Sequence, residues 1–223
     1  MRKQDVLKEK MAVYLVIGSQ DCGHSIERTV SIAEDALQGG VGMLQLRDKG
    51  STLTDEQRYQ LGYRLRELCA RYGCLFIVND DVRLAIRLQA DGVHVGQEDM
   101  PLQEVRALVG ETMNIGVSAG TIEEALAAKA GGADCLGVGA MFATSSKADA
   151  GEPIGPDGLR LIREAVGAEM PIVGIGGITR ANAEQVIRAG ADGIAVISAI
   201  TRADSAKESA SALLQMVRSV SHG

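Results

Sequence analysis

The chain alternates a short apolar run with a longer amphipathic one eight times over, and this rhythm restricts the fold more than any single residue does. Runs such as Pro171-Ile-Val-Gly-Ile and Gly193-Ile-Ala-Val-Ile contain no polar position. Strands of that kind are buried on both faces, as in a parallel sheet covered by helices. Strands are expected at 12–18, 43–47, 75–79, 92–95, 114–118, 135–139, 171–175 and 193–198. Helical periodicity falls near 25–37, 54–72, 82–89, 102–109, 122–130, 156–165, 180–189 and 204–220. Eight such units with short connections describe an α/β fold, a single-domain (β/α)8 TIM barrel. A doubly wound open sheet is the alternative, but Gly174-Ile-Gly176-Gly177 lacks the third glycine of a dinucleotide fingerprint. Residues 1–11 are read as a charged, helical N-terminal extension, and 12–220 as the catalytic barrel domain.

Composition narrows the partners. The 223 residues carry a net charge of −6, so no global basic field is available for nucleic acid, and an anion must be held by a local group of cations. The first ten residues lack the apolar core of a signal peptide, and no later segment is long enough to span a bilayer. Cys22, Cys69, Cys74 and Cys135 form no CxxC pair and read as packed, structural thiols in a reducing cytoplasm. Small-molecule substrates are expected, and the sequence leaves a homo-oligomer open.

In a barrel of this kind the active site forms at the carboxyl ends of the strands. Polar residues collect there: Gln45, Arg47 and Lys49; Asn79, Asp80 and Asp81; Gln97, Glu98 and Asp99; Ser118; Thr144, Ser145, Ser146 and Lys147; Gly176 and Gly177; Ser198. Strand alternation puts Gln45, Arg47 and Lys49 on one face. Asp80 and Asp99, from adjacent strand ends, suit one hard cation such as Mg2+, which keeps waters and phosphate oxygens as its other ligands. With Arg47, Lys49 and Lys147 alongside, the cluster describes a diphosphate site. A second anion site is expected at Gly176-Gly177 and at Ser198, where backbone N–H groups approach a phosphate closely. The connection 144–155 is a candidate lid. His94 and His24 have no evident partner, so Ser118 is read as a hydrogen-bonding group rather than a nucleophile.

Taken in order, Gln45-Leu-Arg-Asp-Lys49, Val78-Asn-Asp-Asp81, Gly92-Val-His-Val-Gly-Gln-Glu-Asp99, Gly116-Val-Ser118, Gly174-Ile-Gly-Gly-Ile178 and Val196-Ile-Ser-Ala-Ile200 resemble the thiamine phosphate synthase family. The resemblance implies a transferase that joins a pyrimidinylmethyl diphosphate to a thiazole phosphate by Mg2+-assisted, dissociative loss of diphosphate. It implies that Gln45, Leu46, Arg47, Asp48, Lys49, Asn79, Ser118 and Lys147 hold the pyrimidine diphosphate, with Arg47, Lys49, Lys147 and Ser118 acting in catalysis. Asp80 and Asp99 would bind Mg2+, and Thr144, Ser145, Ser146, Gly177, Ile197 and Ser198 the thiazole phosphate. The chain departs from the family pattern at Ala140 and Ala143, where many members have proline, at Gly120, where many have histidine, and at Ser146, usually threonine. Competing readings are a thiazole tautomerase of the same barrel family and a non-catalytic sensor of a phosphate ligand. Gly120 argues against the former, and Asp80, Asp99 and Lys147 against the latter.

Overall fold

A computed structural model describes residues 2–144, 146 and 152–221. Eight parallel strands close into a barrel in sequence order: β1 (Val13–Ile17), β2 (Met43–Leu46), β3 (Leu75–Asn79), β4 (Gly92–Val95), β5 (Asn114–Ala119), β6 (Cys135–Val138), β7 (Ile172–Ile175) and β8 (Gly193–Val196). The ring is completed where β8 pairs with β1, Tyr14 opposite Ala195. The open sheet is thereby excluded. Helices α1 (Lys3–Lys10), α2 (Ile26–Gln38), α3 (Asp55–Tyr72), α4 (Val82–Arg87), α5 (Leu102–Val109), α6 (Ile122–Ala130), α7 (Gly155–Val166), α8 (Ala183–Arg188), α9 (Ser198–Thr201) and α10 (Ala206–Ser221) accompany the strands. Among the described residues, no helix is long and apolar enough to cross a membrane.

Alternation along each strand divides the core into two bodies. Val13, Leu15, Ile17, Leu44, Leu46, Phe76, Val78, Val93, Val95, Ile115 and Leu136 face outward and pack with the helices. Tyr14, Val16, Met43, Ile77, Cys135, Val173, Ala195 and Ile197 face the barrel interior. Capping residues stop and start the helices locally: Ser25, Thr54, Asp81 and Thr121 each accept a hydrogen bond from the first turn they precede. Helix α3 ends on Gly73 at φ 63°, a left-handed position that glycine adopts without strain.

The lower end of the barrel is stoppered. Leu7 of α1 and the following Met11 are 2% and 0% exposed, and they join the interior cluster rather than the helix layer. Charge alone dominates the sequence of this segment, yet two apolar side chains at i and i+4 fall on one face and enter the barrel. Lys3 pairs with Asp134 at 2.7 Å and Lys8 with Asp192 at 3.3 Å, while Lys10 donates to the Gly73 carbonyl at 2.7 Å.

Asp134 and Asp192 belong to twin clamps two βα units apart. The Asp134 carboxylate accepts from the Ile115 backbone N–H at 2.8 Å and from Arg106 at 2.7 Å. Asp192 repeats this with Ile172 at 2.8 Å and Arg163 at 2.7 Å. Each arginine also donates to carbonyls of the helix end and the turn below it, Arg163 to Gly167, Met170 and Gly190. A half-buried guanidinium is tolerable where its donors are satisfied in this way.

Two sequence expectations are displaced at the top of the barrel. The last strand was expected to run to 198, but it ends at Val196, and Ser198 opens the short helix α9. Helix 180–189 shortens to Ala183–Arg188, because Asn182 donates from its side chain to Gly177 O at 3.0 Å and accepts from Thr179 N at 2.8 Å, tying the preceding residues into a turn.

Candidate active site

Strand β2 sends alternate side chains to opposite sides. Gln45 and Arg47 are buried and line an interior cavity with Tyr14, Asn79, His94 and Ser118. Gln45 donates from Nε2 to the Tyr14 hydroxyl at 2.7 Å. Lys49, at the rim, pairs with the carboxylate of Asp80. Leu46 points outward into the helix layer. Asp48 follows it: its carboxylate is fully buried, accepts from the Ser19 N–H and hydroxyl at 2.8 and 2.7 Å, and meets Ser51 and Arg58. Its side chain therefore joins the tops of β1 and β2 and is turned away from the mouth. Neither the Leu46 nor the Asp48 side chain faces the mouth, which narrows the expectation for these two residues.

Asp80 and Asp99 come together as the strand order requires. Asp80 sits at φ 59°, its backbone N–H donating to the His94 carbonyl at 2.8 Å, so the end of β3 is bent over β4. A non-glycine residue in this region is uncommon and marks a site where surrounding contacts impose the conformation. Asp99 is held from the other side by the Gly96 N–H at 2.7 Å. Burial pushes the Asp80 carboxyl up, with the neighbouring Asp99 adding to it and Lys49 opposing. Burial would raise Asp99 too, but it is outweighed by its hydrogen bond with Asp80, the Gly96 N–H and the positive field of Lys49, leaving it below the usual carboxylate range. With both carboxyls ionised, the pair carries one negative charge more than the single Lys49 ammonium offsets. By contrast, Asp81 is a helix cap, accepting from Leu84 N at 2.9 Å.

His94, for which the sequence offered no partner, reaches the neighbouring strand at Ser118, Nε2 to Oγ at 3.0 Å. The pairing follows from register: His94 lies opposite Gly116, and Ser118 is the next inward residue of β5. The imidazole occupies space that side chains at two glycines would take. A Cβ at Gly137 would lie 2.9 Å from its Cε1, and one at Gly116 would collide with Nδ1. Gln97 adds a second tie to β5, donating to the Ser118 carbonyl at 2.6 Å. His94 and Gln97 stood in the quoted motif without an assigned role, whereas Tyr14 was not singled out by the sequence reading. The available signal for Tyr14 was that it is the one hydroxyl in an otherwise apolar strand.

The second pocket, about 240 Å³, opens over the ends of β6, β7 and β8 and is lined by Thr144, Ser146, Gly176, Gly177, Ile197, Ser198 and Arg202 among others. Gly177 has φ 63°, and a Cβ there would lie 2.7 Å from the Ala143 carbonyl, so only glycine fits the turn. Ser146 donates to Ser198 Oγ at 3.4 Å, bridging the two sides of the pocket. Ser145, Lys147 and residues 148–151 of the expected lid lie outside the described residues.

A family model described as thiamine monophosphate synthase matches residues 13–200. The chain belongs to the thiamine monophosphate synthase family. It is a transferase by that membership. Among its relatives, the thiamine-phosphate synthase of Geobacillus kaustophilus is 51% identical over 213 residues, covering 95% of this chain and 94% of that protein. The thiamine-phosphate synthase of Bacillus velezensis is 43% identical over 218 residues, covering 96% and 94%. A solved thiamine phosphate pyrophosphorylase from Pyrococcus furiosus superposes with TM-score 0.86 at 37% identity, covering 96% of this chain and 98% of that one. Orotidine 5'-phosphate decarboxylase from Pyrococcus horikoshii, at TM-score 0.68 and 17% identity, shares the fold. The thiamine monophosphate synthase family thus accounts for the match along nearly the whole barrel.

Proposed function

We propose that this protein is a thiamine phosphate synthase. It joins 4-amino-2-methyl-5-pyrimidinylmethyl diphosphate to 4-methyl-5-(2-phosphoethyl)thiazole, or to its carboxylated form, giving thiamine phosphate and diphosphate, with CO2 released from the carboxylated substrate. The observation that carries this reading is the presence of two dissimilar anion-suited sites at one barrel mouth. One is built of cations and carboxylates around Lys49, Asp80 and Asp99, the other of glycine backbone and hydroxyls around Gly177, Ser146 and Ser198.

Gln45, Arg47, Asn79 and Ser118, with Lys147 by resemblance, hold the pyrimidine diphosphate, and Leu46 and Asp48 contribute backbone. Thr144, Ser145, Ser146, Gly177, Ile197 and Ser198 hold the thiazole phosphate. Asp80 and Asp99 fit Mg2+: both are hard oxygen donors, and their surplus negative charge is what a divalent cation would neutralise. Bound there, Mg2+ would neutralise charge on the departing diphosphate. Arg47 and Lys49 face the same leaving group, where negative charge grows as the carbon–oxygen bond breaks. The gain from such preorganised donors is typically on the order of 10²–10³ in rate for each. Ser118, oriented by His94, offers a hydrogen bond beside the pyrimidine. The glycine pocket brings the thiazole nitrogen to the carbon that has lost diphosphate. No strong general base is needed, since the nitrogen attacks through its lone pair.

The four buried free thiols support a reducing, cytoplasmic setting, and residues 12–220 are read as the catalytic unit. The test mixes both substrates with Mg2+ and looks for thiamine phosphate. Asp80→Ala is expected to abolish Mg2+-dependent diphosphate release with the circular dichroism spectrum unchanged. Undiminished turnover in that variant would sink the metal assignment.

A further inference from the structure

The glycine pocket contains one charged side chain among its described lining residues, and no motif pointed to it: Arg202. It stands one turn beyond Ser198, its backbone N–H donating to the Ser198 carbonyl at 3.1 Å. Side chains of a helical turn lean toward its N-terminal end, so a residue at i+4 sweeps back over residue i. Arg202 caps that turn and lines the pocket together with Gly177 and Ser198. Arg202 is exposed and has no ion pair within 4.0 Å among the described residues. The carboxylate that feels it is Asp21, on the turn after β1, whose Oδ2 accepts from both the Gly18 N–H and the Gln20 amide.

We propose that Arg202 is a specificity-determining residue that selects a phosphate monoester dianion, over the corresponding alcohol, as the second substrate. The inference rests on the reading of this pocket as the thiazole phosphate site. Backbone N–H groups and hydroxyls accommodate a phosphate but also tolerate a neutral hydroxyl group. A guanidinium with an unused donor fork rewards charge, because its planar N–H pairs match phosphate oxygens two at a time. Arg202 is far from the bond-making atoms by this account, so it acts on recognition and leaves the chemical step alone.

The experiment compares wild type, Arg202→Ala and Arg202→Lys with phosphorylated and unphosphorylated thiazole as acceptors. Arg202→Ala is expected to raise the KM for the thiazole phosphate about 10- to 100-fold, the range for loss of a charge-assisted hydrogen bond. The kcat and the KM for the pyrimidine diphosphate should stay within about twofold, and the alcohol should be used equally by both proteins. Arg202→Lys should recover part of the loss, since lysine keeps the charge without the fork. A second arm measures binding of inorganic phosphate by calorimetry in a Lys49→Ala background, which weakens the other anion site. Arg202→Ala should weaken that binding about tenfold or more. Absence of thiamine phosphate synthesis by wild type would fell the proposed function, while the phosphate arm still judges Arg202. An unchanged phosphate affinity in Arg202→Ala, or an equal loss for phosphate and alcohol acceptors, overturns the proposal.

Discussion

Asp192→Ala is a direct test of how the lower end of the barrel is held. The carboxylate serves three groups: the Ile172 backbone N–H at 2.8 Å, Arg163 at 2.7 Å and Lys8 at 3.3 Å. Ile172 is fully buried, so its N–H would be left without an acceptor, at a cost of about 1–3 kcal/mol. Arg163, with 15% of its side chain exposed, keeps three carbonyl acceptors, so losing its counter-charge costs about 1 kcal/mol rather than the full penalty of a stranded buried ion. Lys8 is more exposed and its pair contributes roughly 0–0.5 kcal/mol. Together these give a loss of about 2–4 kcal/mol, a large share of the 5–15 kcal/mol typical of a whole domain. For a chain of this length that corresponds to a fall in Tm of about 5–15 °C. Asp192→Asn retains an acceptor oxygen, and about 1 kcal/mol is expected instead. Urea denaturation should show lower midpoints at an unchanged m-value, with kcat per folded molecule preserved because the site lies at the opposite end. An alanine cost below about 1 kcal/mol, or an asparagine cost equal to it, would refute the clamp as described.

Two further outcomes follow from buried titratable groups. Burial pushes the Asp21 carboxyl up from its ordinary value, so the native state holds its proton to higher pH than the unfolded chain, and this contribution to stability is lost as pH rises through the raised value. Asp21→Asn, which does not titrate, should gain on wild type as pH increases from about 4 to about 6.5, read from urea midpoints; a gap that stays constant or narrows contradicts the burial effect. Burial pushes the Cys135 thiol up to about 12, with Asp134 adding to it, and all four cysteines are buried. An aromatic disulfide reagent at about pH 8 should label none of them in the folded protein and all of them in denaturant, whereas rapid labelling of the native state would contradict this packing.

The barrel was legible because its strands are apolar on both faces and its helices are capped by local signals such as Thr54 and Thr121. Chain-end and long-range features were less so. Residues 1–11 read as a charged, helical extension, and only the closed barrel reveals that Leu7 has an interior to enter. The His94–Ser118 pair spans 24 residues and depends on the β4–β5 register, which periodicity does not fix. For residues 45–49 the alternation rule already separated Gln45, Arg47 and Lys49 from Leu46 and Asp48. Treating the segment as one binding motif obscured that division, and the buried Asp48 carboxylate restores it. Asp80 and Asp99 were legible because adjacent parallel strands end side by side. Arg202 was hidden because the expected strand ran through Ser198, and a residue four positions along an extended chain would point elsewhere.

The stopper formed by Leu7 and Met11 has a consequence for traffic. A barrel shut at its base is a vessel with a single opening, so entering ligands and departing solvent share one route. The chamber beside Tyr14, Gln45 and His94 lies below the rim on which Lys49 and Asp80 meet. A ligand group that enters by the mouth and sits beneath that rim is overlain by whatever binds later at the rim, and it leaves only after that upper ligand has gone. An obligatory sequence of filling and emptying would then be a property of the container, without any moving part to enforce it.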